Sequence, residues 1–316
     1  MHNQIIFISF GNFVIHRQNL FSILSAVYYI KNNNENLKIL IYTDNQYFFR
    51  PWLDHYSFID YYVLDSNVIT NWKGQYNYVF RVKIKSIEHS LENLNSKTLY
   101  LDGDTFFKES PSLLFPKIRY NNTLMYLKEG SFLDANFKNW ECIQQHMRTH
   151  QFNLENNVFN FPLEQDMWNA GVIGIDYTNK QLIDLVLNLT DQYCSQNPLN
   201  IYHQDQVMFS YVFQNNTVLQ STDDVIFHYC YGTCKEHMNN ILLRFFKQVE
   251  KYSFDEILTE VHKLTQKTVP DGAISQPLLK TIIIFLQKRK IGLSMAIARV
   301  KKTKKLSAFF QRGEKY

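Results

Sequence analysis

Strand-like and helix-like apolar patterns alternate at the start of this chain, and that alternation limits its folding options more than any other feature. "IIFISF" (5–10) is a short apolar run suited to a buried strand. "RQNLFSILSAVYYIKNN" (17–33) follows with Leu20, Ile23, Leu24, Val27 and Ile30 at helical spacing, and "LKILIYTD" (37–44) is a second strand that ends in a polar loop. Such alternation points to βαβ units and a largely parallel sheet, in an α/β fold. With 316 residues, the chain is long enough for a sizeable core in one large domain or two small ones.

The pattern continues in "YNYVFRVKIKSIEHSLENLN" (76–95), which reads as a helix although "YVFRVKI" would also suit a strand. It leads into "TLYLDGDTFF" (98–107), a strand that ends abruptly in Asp102, Gly103 and Asp104. In open α/β sheets, ligands collect at the carboxyl ends of strands, where these aspartates lie. Beyond residue 110 the stretches are longer, irregular and rich in aromatics. "MWNAGVIGIDY" (167–177) contains a further strand, "KQLIDLVLNLTDQYCSQ" (180–196) is a helix, and "HQDQVMFSYVFQN" (203–215) is helical at its start. "DEILTEVHKLTQK" (255–267) is an amphipathic helix, and "PDGAISQP" (270–277) is a linker built from turn-forming residues. There is no internal repeat.

Composition narrows the class. A chain that is 45% hydrophobic and 16% aromatic is folded rather than disordered. Cys142, Cys194, Cys230 and Cys234 are too few for a disulfide framework. The C-x3-C pair at 230 and 234 lacks a second cysteine pair to complete a zinc site, so a reducing cytosolic setting suits these thiols. The N-terminus has neither the positive region nor the cleavage pattern of a signal peptide and reads as a first strand. No run reaches the ~18 consecutive apolar residues of a membrane span. The net charge of +4 hides an asymmetry: residues 279–316 hold eleven Lys and Arg against one acid, Glu314, leaving the rest of the chain mildly acidic.

Asp102 and Asp104 would repel each other at the end of a buried strand unless something positive lay between them. Hard carboxylate oxygens suit Mg2+ or Mn2+, which bind one or two carboxylates together with phosphate oxygens and water. Gly103 leaves room for a ligand to approach the backbone. The alternative is a surface turn with two solvated acids. His228, after an apolar run, is a third metal ligand or a core histidine. Gly232 and Lys235 complete an H-x3-G-x2-K pattern whose glycine turn and lysine suit a diphosphate. Asn169, Asp205 and Gln206 are polar groups in apolar surroundings, which either bind a polar ligand such as a sugar or serve internal capping. Arg81 and Lys83, ahead of the aspartate strand, face phosphates or solvent.

The order of these motifs carries more than any one of them. "TLYLDGDTFF", "MWNAGVIGI", "DQVMFS" and "FHYCYGTCK" follow one another as they do in the retaining glycosyltransferases of family 8, which the chain resembles over roughly residues 4–240. That family includes glycogenin and bacterial lipooligosaccharide galactosyltransferases. The resemblance implies a GT-A fold over 1–240, with a nucleotide-binding half (1–110) and an acceptor half (111–240). A helical extension and linker (241–278) and a basic amphipathic tail (279–316) would follow. It implies that Asp102, Asp104 and His228 hold Mn2+ or Mg2+ on the diphosphate of a UDP-sugar. Arg81, Lys83, Gly103, Asn169, Ala170, Gly232 and Lys235 would bind the donor, and Asn12 would stand by the base, where the family often has aspartates. Asp205 would hydrogen-bond the donor sugar, and Gln206 would face its anomeric carbon opposite the leaving group. The chain departs from the family in its last motif, which usually runs H-x2-G-x2-K-P-W, whereas here one residue is added and Glu236 and His237 follow the lysine. Ser210 also stands where the D-Q motif often has asparagine.

By the same resemblance the reaction is hexosyl transfer with retention to a glycan or glycolipid acceptor, in bacterial lipopolysaccharide, lipooligosaccharide or capsule synthesis. The basic tail, with its cations interleaved among "TIIIFL", "IGLSMAI" and "LSAFF", is expected to lie on an anionic membrane at the inner face. The acidic body argues against nucleic-acid binding. Two rivals are a catalytically degenerate nucleotide- or glycan-binding protein and a haloacid-dehalogenase-like phosphatase. The second would use "STDDV" (221–225) as its later acidic pair but has Phe106 where a threonine is expected.

Overall fold

The computed structural model describes residues 3–133, 140–154, 157–196 and 204–268. The linker expected at 270–277 and the basic tail lie outside them. The strands are β1 (Asn3–Ser9), β2 (Leu37–Thr43), β3 (Ile59–Val63), β4 (Lys97–Leu101), β5 (Thr105–Phe107), β6 (Asn122–Met125) and β7 (Lys128–Ser131), then β8 (Gln151–Leu154), β9 (Asn157–Asn160), β10 (Asp166–Trp168), β11 (Val172–Asp176), β12 (Val218–Ser221) and β13 (Ile226–His228). The helices are α1 (Phe13–Asn33), α2 (Gln46–Leu53), α3 (Ser66–Lys73), α4 (Arg81–Leu94), α5 (Trp140–Thr149), α6 (Gln181–Gln196), α7 (Gln204–Asn216), α8 (Gly232–Val249) and α9 (Phe254–Thr268).

A seven-stranded sheet runs in the order β12-β6-β11-β4-β1-β2-β3. Pairs β1–β2, β2–β3, β1–β4 and β6–β12 are parallel, and β11 lies antiparallel between β4 and β6. The mostly parallel sheet expected from the alternating pattern is therefore present, with one reversed strand at its middle. Successive side chains of a strand point to opposite faces. Ile5, Phe7, Leu99 and Leu101 accordingly join an apolar layer with α1, α8 and α9, whereas Ile6 and Tyr100 join another with α4, α6 and α7. Three smaller antiparallel pairs, β5 with β13, β7 with β10 and β8 with β9, complete the strands.

Local chemistry sets the helix ends. Asn12 Oδ1 accepts from the N–H groups of Val14 and Ile15 at 2.9 and 3.1 Å, so α1 begins at residue 13 rather than at 17. Asn34, in the left-handed region at φ 51°, ends it. The ambiguous segment 76–95 is helical from Arg81, because Ile84, Ile87 and Leu91 recur on one buried face; Asn77, at φ 51°, turns the chain before it. The boundary expected at residue 240 falls inside α8. Met238, Leu242 and Val249 of α8 and Ile257, Leu258 and Val261 of α9 are buried in the same layer as Ile5 and Phe7, so both helices belong to the body. No helix among the described residues is long and apolar enough to cross a membrane.

Candidate active site

Three pieces of chain converge beyond the carboxyl end of β4. The Asp102 amide donates to the Gly171 carbonyl at 2.8 Å, tying that end to the turn before β11. β5 then pairs with β13 so that Thr105 lies opposite His228, and the Tyr229 amide donates to the Asp104 carbonyl at 3.0 Å. This short ribbon brings His228 to the aspartates across more than a hundred residues. Asp102, Asp104 and His228 each offer a ligand atom, all within 4.8 Å of one another. His228 Nε2 lies 3.1 Å from Asp104 Oδ1, and Lys235 Nζ, in the first turn of α8, lies 2.6 Å from Asp104 Oδ2.

Gly171 is what allows the imidazole to sit there. A Cβ at that position would lie 2.2 Å from His228 Cε1, closer than any non-bonded carbon pair can approach. Gly171→Ala is therefore expected to push the ring off the aspartates. It should lower stability by about 1–3 kcal/mol, read by urea unfolding, and weaken by about 10- to 100-fold whatever affinity these three residues have for a divalent cation, read by metal titration. On its Cβ side Gly103 makes room for Asn19 of α1, whose Nδ2 would meet a Cβ at 2.3 Å. On that side the room left by the missing Cβ is taken by protein.

A second layer of charge surrounds the aspartates. Lys83 Nζ lies 3.0 Å from Asp205 Oδ2 and 3.5 Å from Asp102 Oδ1, and donates to the Ala170 carbonyl at 3.2 Å. Tyr78 Oη donates to Asp205 at 2.9 Å, and Tyr100 Oη donates to Asp102. Burial works to discharge Lys83, but Asp102 and Asp205 outweigh it and hold the ammonium above its ordinary range. Burial likewise works to protonate Asp104, yet His228 and Lys235 keep its carboxyl well below the usual carboxylate range.

Glu129 on β7 was not singled out from the sequence, and it belongs to this cluster. It accepts from Gln206 Nε2 at 2.9 Å, from Asn169 Nδ2 at 3.1 Å and from the Tyr231 hydroxyl. Asn169 Oδ1 in turn lies 2.9 Å from His228 Nδ1 and accepts from the Gly171 amide at 2.9 Å. The carboxylates of Asp102 and Asp205 face the Lys83 ammonium and that of Asp104 faces Lys235, while Glu129 accepts from the uncharged Gln206, Asn169 and Tyr231. Burial works to discharge His228, but Cys230 and Asp104 outweigh it and hold the imidazole well above its ordinary range. The formal excess is one negative charge with the ring protonated, and two once a cation takes the place of that proton. Two carboxylates, one imidazole and this surplus fit a divalent cation of the Mn2+ or Mg2+ kind.

Other expected residues stand elsewhere or in other roles. The Arg81 guanidinium is held by Asp191 of α6, at 2.7 and 3.0 Å, and by the Trp72 carbonyl at 2.9 Å, so it is not brought to the aspartates. Lys83, two residues further along α4, is the basic residue that reaches them. The Asn12 side-chain oxygen is engaged in capping α1. Gly232 opens α8 with a positive φ of 30° and places Lys235 on the first turn. Ser210 binds the Trp168 backbone, accepting from its amide at 3.0 Å, and so supports the turn that carries Asn169. In "STDDV", Asp224 pairs with Lys117 on the surface at 3.1 Å and does not join the cluster, so a phosphatase's acidic pair is not assembled there.

The structure of a galactosyltransferase, LgtC, in complex with donor and acceptor sugar analogues matches this chain with a TM-score of 0.51 at 12% identity, covering 85% of this chain and 98% of that one. The fold is GT-A. The glycosyltransferase GlyE of Streptococcus pneumoniae TIGR4 matches with a TM-score of 0.49 at 13% identity, and this chain covers 66% of its length. No family model matches the sequence, and no curated protein matches it. In this GT-A frame the cluster lies at the carboxyl end of a central strand, where α/β sheets bind ligands.

Proposed function

We propose that this chain is a metal-dependent glycosyltransferase of the family 8 type. It would move a hexosyl group of the galactose or glucose kind from a UDP-sugar to a glycan acceptor, with retention, in the synthesis of a bacterial lipopolysaccharide, lipooligosaccharide or capsule. The observation that carries this reading is the convergence of Asp102, Asp104 and His228 within 4.8 Å, with Lys235 beside them, at the carboxyl end of β4 in a GT-A sheet. Asp102, Asp104 and His228 would hold the cation, which when bound acts as a Lewis acid on the diphosphate.

The chain's own residues would do the rest. Lys235 and the N-terminal end of α8 present positive charge where negative charge grows on the departing UDP. Asn169 and Asp205 would hydrogen-bond the donor sugar and orient it. Gln206 would face the anomeric carbon and support positive character on the ring. The glycosyl–phosphate bond breaks with its electron pair going to the phosphate. The acceptor oxygen then bonds to the anomeric carbon on the same face and passes its proton to the departing phosphate oxygen.

The test is a donor screen with nucleotide release as the readout. Mn2+ with UDP-galactose or UDP-glucose is expected to give release that a chelator stops. Release from no nucleotide sugar, or phosphate freed from a simple phosphoester, would overturn the reading. The basic segment 279–316 would hold the enzyme on the inner face of an anionic membrane, a reading supported by its eleven cations against one acid. Deleting it is expected to abolish co-sedimentation with anionic liposomes, and unchanged co-sedimentation would remove that part of the proposal.

A further inference from the structure

Glu129 lies outside every motif that points to sugar transfer, yet it is the common acceptor for three of the cluster's side chains. Its carboxylate has no hydrogen to give, so each group that faces it must donate. Gln206 and Asn169 therefore turn their NH2 ends to Glu129, whichever way an amide is drawn. Two consequences follow from that polarity. The carbonyl oxygen of Gln206 is the end of the amide turned away from Glu129. The carbonyl oxygen of Asn169, already accepting from the Gly171 amide, is the end turned to His228, so that His228 Nδ1 carries a hydrogen. By the same rule Nε2, 3.1 Å from the Asp104 carboxylate, also carries a hydrogen in this structure, and it is this nitrogen, on the side where Asp102 and Asp104 gather, whose hydrogen a cation would replace.

We propose that Glu129 is a positioning residue that fixes the direction of this whole chain of hydrogen bonds: through Asn169 it fixes the ring nitrogen that His228 gives to a cation, and directly it fixes the face that Gln206 turns to the sugar. Partners that orient a metal-binding histidine in this way commonly change metal affinity or activity by about 10- to 100-fold when lost. The inference rests on the reading of Asp102, Asp104 and His228 as a cation site.

Glu129→Gln keeps the size of the side chain but lets it donate as well as accept, so the direction is no longer imposed. Mn2+ affinity, titrated calorimetrically with no donor present, is expected to fall by about 10- to 100-fold. Glu129→Asp, which still only accepts, should recover most of that affinity. With UDP-galactose as donor, Glu129→Gln should lower kcat more than it raises KM. Wild-type Mn2+ affinity in Glu129→Gln, or equal losses in the Gln and Asp variants, would overturn the proposal. Should Glu129→Gln fail to fold, a second pair decides. Asn169→Ser has to lose Mn2+ affinity while Gln206→Leu keeps it, and the reverse overturns the proposal. Because the titration needs no turnover, a chain that binds Mn2+ in this Glu129-dependent way but releases no nucleotide would remove only the transferase reading. A wild type that binds no Mn2+ would remove this inference.

Discussion

On the proposed function, Asp104→Asn is expected to reduce Mn2+-dependent release of UDP from a sugar donor by at least about 100- to 1,000-fold, the size of effect seen when one preorganised electrostatic group is removed from a reaction centre. The substitution keeps the volume of the side chain and removes its charge. Both oxygens of Asp104 are engaged, one by His228 at 3.1 Å and the other by Lys235 at 2.6 Å, and the residue is buried. An asparagine can accept from only one of these partners and turns an NH2 group toward the other. The loss therefore reaches the cation site and the lysine that would meet the diphosphate in one step. Nucleotide release measured against Mn2+ concentration separates the two. If only the cation were affected, saturating Mn2+ would restore turnover, and we expect that it does not. A far-ultraviolet spectrum and an unfolding midpoint close to those of the wild type would show that the loss is chemical rather than structural.

Lys83→Met should be the most damaging change to the fold among the cluster's residues. Lys83 is only 6% exposed and Asp205 only 4%, and their charged atoms are 3.0 Å apart. Methionine matches the lysine stem in length and packing, so the cost isolates the ammonium group. Removing one member of a buried ion pair leaves the other without compensation, which costs about 3–5 kcal/mol. The Tyr78 hydroxyl would remain on Asp205 and soften the loss without cancelling its charge. Urea unfolding of the metal-free protein is the measurement, since a bound cation would stabilise the native state by mass action and mask the difference. A cost below about 1 kcal/mol, the range of exposed pairs, would mean that water reaches this pair.

Much of the architecture was legible because it rests on local periodicity. β1, α1 and β2 show a strand spacing and then a helical one, and their buried faces follow those spacings. Asp102 and Asp104 were conspicuous for a different reason, as carboxylates after an apolar strand, whereas His228 could equally be a core histidine and was joined to them only through the family resemblance. What escaped is what depends on three-dimensional neighbours. Arg81 and Lys83 look alike in sequence, but α4 turns the first toward Asp191 and the second toward Asp102 and Asp205. Glu129 sits in the short stretch "LKEGS", with no periodicity to mark it, and its partners at 169, 206 and 231 come from three separate parts of the chain. Gly171 belongs to a motif that was noticed for its asparagine. Its own importance is steric and exists only once His228 is beside it.

The reversed strand at the middle of the sheet has a consequence for synthesis. β4, which carries the aspartates, is flanked by β1 and β11, so that residue 97 pairs with residue 3 on one side and with residue 176 on the other. His228 arrives later still, on a ribbon that exists only when β13 meets β5. A chain emerging from the ribosome can assemble β1, β2 and β4 early, but β4 must then wait as an open edge for dozens of residues. The nascent protein would carry both acids long before it had the imidazole, and metal capture would mark completion of the body rather than its beginning.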